Sequence, residues 1–97
     1  MTYDQFNDSL SQEAPPKQIS ILLQALWYDA KGDWHKAHAQ VDSQTDGASA
    51  WVHAYLHRKE GDIWNADYWY NKAKKVRPKV TLENEWEALV LHFLHQD

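Results

Sequence analysis

The sequence predicts an all-α fold, and three observations carry that prediction. No stretch of the 97 residues alternates apolar and polar side chains with the period of two that a half-buried strand requires. Glycine and proline number three each, and most of them stand where apolar-periodic segments begin or end. The last segment spaces Leu82, Trp86, Leu89, Val90, Phe93 and Leu94 at offsets of 0, 4, 7, 8, 11 and 12, which is one continuous stripe of a helix.

The elements follow in order. Tyr3, Phe6 and Leu10 recur at three and four residues, so a short first helix is predicted there. Pro15-Pro16 suits a helix start, where a missing N–H loses no bond, and the next helix is predicted over 17–31. Gly32-Asp33 and Gly61-Asp62 each read as a left-handed helix end followed by a side-chain cap, which gives helices over 33–43, 48–60 and 62–77. Pro78 closes the last of these, and Thr81 caps a final helix over 82–96. The helix over 17–31 has two apolar faces, Ile19/Leu22/Leu23/Leu26/Ala30 and Ile21/Ala25/Tyr28, so it is expected between neighbours. The helix over 62–77 is expected to bury Ile63, Ala66, Trp69, Tyr70, Ala73 and Val76. It leaves Trp64 and Tyr68 on the other side, where a packed neighbour is expected to cover them.

With 43% hydrophobic and 25% charged residues, the composition is that of one globular domain, read as residues 15–97 behind an N-terminal segment 1–14. The core should be aromatic, since six Trp, five Tyr and two Phe must be placed, and most carry a polar N–H or O–H that needs a partner when buried. Zero cysteines exclude disulfides, thiolate metal sites and thiol nucleophiles. Met1-Thr2-Tyr3-Asp4 has neither a basic nor an apolar signal region, and a run such as Ala88 to Leu91 is four residues long. A bilayer span needs roughly 20, so a cytoplasmic protein with no membrane partner is expected. Net charge is −4, distributed as −3 over residues 1–16, −1 over 17–47, +4 over 48–79 and −4 over 80–97. Lys72, Lys74, Lys75, Arg77 and Lys79 fall at a predicted helix end while Glu83, Glu85 and Glu87 open the next helix, so both sets complement helix dipoles. With no zinc-finger spacing and no overall basic charge, no nucleic-acid partner is expected.

Aligning Gly32-Asp33 with Gly61-Asp62, an offset of 29 residues, also aligns Ala37 with Ala66 and Ala25 with Ala54. The repeating unit is a helix-turn-helix hairpin. In these residues, with Tyr28, Tyr70, Ala73 and Pro78, the chain resembles the tetratricopeptide repeat, whose unit runs to about 34 residues. The resemblance covers residues 17–78. It departs from the pattern at Val41, Gln44 and Ser49 and at His53 and His57, so the second helix of the first unit is expected to be short. It implies two tetratricopeptide-like hairpins, a C-terminal capping helix and a short N-terminal helix. The run Trp51 to Asp62, with Asn65-Ala66 and Tyr68-Trp69-Tyr70, is also similar to a group of small bacterial proteins of unknown function.

Under that resemblance the inner face of the two first helices carries the partner-binding residues. They are Leu22, Leu26, Asp29, Trp51, Tyr55, Arg58 and Lys59, with Asp29 and Arg58 at equivalent positions and therefore expected to pair across the groove. Leu22, Leu23 and Leu26 make this groove too apolar to stand open to water. Segment 1–14 is expected to fold back over it as a marginal, removable cover, and a peptide or a second copy of the chain are the other occupants. Six histidines fall in the pairs His35/His38, His53/His57 and His92/His95, each with a helical spacing that puts two imidazoles on one face. His53 and His57, with Glu60 as third ligand or base, form the candidate metal set. His38, beside the Trp34/Ala37/Val41 stripe, reads as a packing residue. No catalytic constellation, phosphate loop or cofactor motif is present, so a non-catalytic protein or peptide interaction module is expected, with self-association included. The alternative is a metal site, catalytic or not, on the His53/His57/Glu60 face.

Overall fold

Each α-helix starts at a side-chain cap. Thr2, Ser20, Asp33, Asp46, Asp62 and Thr81 accept the backbone N–H of Gln5, Leu23, Lys36, Ser49, Asn65 and Asn84 respectively, and Gln5 returns the bond to Thr2 in a reciprocal box. Each such bond satisfies a donor the helix cannot pair internally, a contribution of about 1 kcal/mol. The computed structural model describes residues 1–96. Its helices are α1 (Tyr3–Asp8, continued by a single 3-10 turn at Ser9–Ser11), α2 (Ile21–Ala30), α3 (Trp34–Val41), α4 (Gly47–Lys59), α5 (Ile63–Lys72) and α6 (Leu82–Leu94). The fold is all-α, with no strand among the described residues. No helix among them is long and apolar enough to cross a membrane.

Two predicted boundaries are corrected. Residues 17–20 are not helical, because Gln18 adopts a left-handed φ of 67° and Ser20 supplies the cap, so Pro15-Pro16 precede a loop. Helix α5 stops at Lys72 because Lys74 takes φ 59°, well before Pro78. Val76 therefore leaves the helix and is 89% exposed, and Ile63 lies exposed at the other end, so neither joins the predicted buried stripe. The turns at Gly32 (φ 85°) and Gly61 (φ 89°) are as expected, in a backbone region that an L side chain enters only with strain.

The closest packing is between α2 and α3 and between α4 and α5. Helix α4 also lies against α2 and α3, while α6 packs on α2 and α4 and meets α1. The principal core is built from Phe6, Leu23, Leu26, Trp27, Val52, Leu56, Leu89 and Phe93, and a smaller one from Ala54, Ala66 and Tyr70. The polar ends of the buried aromatics are satisfied. The indole N–H of Trp27 donates to Ser9 Oγ (3.1 Å), that of Trp34 to the Leu56 carbonyl (2.7 Å) and that of Trp86 to the Leu26 carbonyl (3.0 Å). Segment 1–14 does dock. Phe6 is fully buried, Tyr3 and Phe6 rest against Trp86, and Lys31 donates to the carbonyls of Leu10 and Gln12 at 2.7 and 2.9 Å.

Candidate functional site

Helices α3 and α4 bring three histidines to one place. His38 comes from α3, and His53 and His57 stand one turn apart on α4. One ring nitrogen of each lies within 4.8 Å of the others. His38 Nε2 and His53 Nε2 are 2.9 Å apart and share one hydrogen. The His57 ring stacks on His53 (4.8 Å between centroids, 22° between planes) and meets His38 edge-on at 5.3 Å. Tryptophans close the cluster on two sides, with Trp34 stacked on His38 at 4.8 Å and Trp69 of α5 stacked on His53 at 4.0 Å.

The electrostatics follow from that enclosure. Burial, then the adjacent His38 and His57 rings, push the His53 imidazole down to about 4, so it is neutral at physiological pH. Burial also lowers His38, although Asp42, 3.9 Å from its Nε2, works the other way. Glu60 accepts from His57 Nδ1 at 2.6 Å, which holds the ring in place and leaves Nε2 as its free ligand atom. His53 Nδ1 is buried with no hydrogen-bond partner. Whichever tautomer His53 adopts, one of its nitrogens is unmatched, at a cost of about 1–3 kcal/mol. As pure packing, the network is therefore incomplete.

Three imidazoles are a donor set for borderline transition ions. Two nitrogens bound to one tetrahedral zinc ion stand about 3.3 Å apart, so the His38–His53 pair needs to open by only a few tenths of an ångström. The predicted set of His53, His57 and Glu60 is divided in the structure, with His53 and His57 beside His38 and Glu60 outside that group. Its α4 face is buried between α3 and α5, and Glu60 bonds to a histidine ring instead of converging with both. His57, Glu60 and Asp62 form a second, more exposed grouping that shares His57. Sequence reasoning missed His38. Its place beside the Trp34/Ala37/Val41 stripe showed that it faces a neighbour, but nothing local said that the neighbour presents His53. His35, His92 and His95 lie on exposed surfaces and take no part in this cluster.

The predicted inner face is also rearranged. Leu26, Asp29 and Tyr55 are buried inside the chain, Leu22, Trp51 and Arg58 are half-buried and Lys59 is exposed, with α6 packed on α2 and α4 and meeting α1. The Asp29–Arg58 pair does not form. Asp29 Oδ1 accepts from Lys59 Nζ at 2.8 Å and Oδ2 from the Tyr55 hydroxyl at 2.9 Å. Arg58 turns instead to α6 and the turn before it, with Nη1 donating to Glu85 Oε1 at 2.7 Å and Nη2 to the Val80 carbonyl. Glu85 Oε2 accepts from the Tyr70 hydroxyl at 2.6 Å. The physical reason is the roughly 100° step per helical residue: Lys59 points at α2 while Arg58 points past it at α6. Burial, then the neighbouring carboxylate, raises the hydroxyl pKa of both Tyr55 and Tyr70, so each acts as a permanent donor. Trp64 and Tyr68, expected under a neighbour, stand free at 80% and 45% exposure.

What fold and site define together is an all-α helical protein with an enclosed cluster of three histidines. Compared with known families, curated proteins and solved structures, the chain matches no family model, no curated protein and no solved structure.

Proposed function

We propose that this chain binds a transition metal ion through His38, His53 and His57, with Glu60 orienting His57 from behind. The observation that carries this reading is the convergence of three imidazoles from two helices, one ring nitrogen of each within 4.8 Å of the others. The set favours zinc, nickel or copper over magnesium or calcium, which take oxygen ligands. Three protein ligands leave coordination positions for water or a small substrate, so the site has room for Lewis-acid chemistry. Tetratricopeptide-like pairing of α2 with α3 and of α4 with α5 is the arrangement we propose for the scaffold.

The test is titration of the full, untagged chain with zinc. One equivalent should bind, and the melting temperature should rise with free zinc by mass action. His38→Gln, the least buried of the three changes, should stay folded and lose that rise. Glu60→Gln should weaken binding by roughly 10- to 100-fold, the usual effect of removing a carboxylate behind a ligating imidazole. A parent protein that neither zinc, nickel nor copper stabilises overturns the reading.

A second reading is supported by the outer face of α5, where the Trp64 and Tyr68 rings lie parallel and largely exposed. Here the chain is an interaction module whose partner is a protein surface, with a second copy of itself as the simplest case. Sedimentation velocity should then show concentration-dependent self-association of the parent, lost in Trp64→Ser/Tyr68→Ser. A parent that stays monomeric removes the self-association case.

A further inference from the structure

The packing of α6 on α2 and α4 is not complete. A cavity of about 420 Å³ remains between α1, α2, α4 and α6, a size that suits a small molecule and not a peptide. Its floor is the Asp29 carboxylate, 2% exposed and already holding the Lys59 ammonium. Tyr3, Leu10 and Trp86 form an apolar wall. The Trp86 ring is fixed there by its N–H bond to the Leu26 carbonyl and by the edge contact with Tyr3 at 6.3 Å.

The charge of the recess decides its ligand. Glu83 and Glu87, one turn apart on α6, line it with Asp29, so three carboxylates face the single ammonium of Lys59. That ammonium is engaged with Asp29 at 2.8 Å, which leaves the exposed Glu83 carboxylate and that of Glu87, beside the Tyr3 hydroxyl, as the charge available to an incoming group. Low-dielectric walls focus such a field, and an aromatic face adds attraction for a cation. An anion entering here meets two like charges and no free partner.

We propose that this recess binds a small organic amine, with its ammonium toward Glu83 and Glu87 and its apolar or aromatic body against Tyr3, Leu10 and Trp86. The proposal is independent of the histidine cluster, since the two share no residue.

Three probes that share a phenethyl group and differ in charge test it: phenethylamine, 2-phenylethanol and 3-phenylpropionate, each titrated into the full chain near neutral pH and low salt while nitrogen-15 NMR follows the backbone and indole N–H signals. Phenethylamine should shift the Trp86 indole N–H saturably and bind about tenfold or more tightly than the alcohol, with the carboxylate weakest. Glu83→Gln/Glu87→Gln alters two exposed side chains and should bring the amine down to the level of the alcohol. Equal binding of amine and alcohol, no saturable shift at Trp86, or undiminished amine binding by the double variant each overturns the proposal.

Discussion

Replacing Glu85 by alanine is expected to destabilise the protein by about 3–5 kcal/mol, the range for breaking a buried ion pair by removing one partner. Glu85 is 2% exposed, and its two oxygens accept from the Arg58 guanidinium and the Tyr70 hydroxyl. Without it, a half-buried guanidinium and a buried phenol lose their acceptor together. Glu85 also ties α6 to α4 and α5, which makes it the joint between the last helix and the rest of the fold. Urea denaturation measures the effect. Glu85→Gln keeps an acceptor for Tyr70 but not the charge for Arg58, and should fall between parent and alanine variant. A loss under about 1 kcal/mol for Glu85→Ala would place this pair with exposed ones, where ion pairs contribute little.

A second large effect is acid destabilisation of the metal-free protein. His53 is held at about 4 in the folded state, whereas an unfolded histidine titrates near 6.5. As pH falls below about 6.5 the unfolded chain takes up a proton that folded His53 refuses, so stability drops until pH passes about 4 and then levels. The loss is about 3 kcal/mol over that window, at 1.36 kcal/mol per unit. His38 adds in the same direction, while Asp42 beside His38 opposes it. The titratable groups facing His53 are His38 from α3 and His57 on α4, and α5 presents the Trp69 ring. Urea denaturation at several pH values across the window should show this fall in the parent. His53→Phe, which fills the space without a titrating ring, should flatten it. A parent curve that is already flat between these limits contradicts the burial of a neutral His53.

What was legible in the sequence is local. Five of the six helices could be placed from apolar spacing and from caps such as Asp33, Asp62 and Thr81, because a cap and the N–H it satisfies lie three residues apart. The first helix followed from Tyr3, Phe6 and Leu10 in the same way. The left-handed turns at Gly32 and Gly61 were visible for the same reason. The errors at 17–20 and at 73–77 are also local. Gln18 and Lys74 take a backbone conformation that side chains of their type rarely adopt, so composition carried no sign of it.

The site depended on distance in the chain. His53 and His57 share a helical face by spacing alone, and this much the sequence determined. Whether that face meets water or another helix was decided by packing, which set α3 on one side of it and α5 on the other. His38, fifteen residues before His53, became a neighbour only through the angle at which α3 lies on α4. The Asp29 partner was settled in the same way, since a single residue step turns a side chain by about 100° and no pattern in one helix fixes its rotation against another. Periodicity therefore determined which residues are helical and which face of each helix is apolar, and the tertiary structure alone decided which faces meet, where three histidines converge and which carboxylate each cation finds.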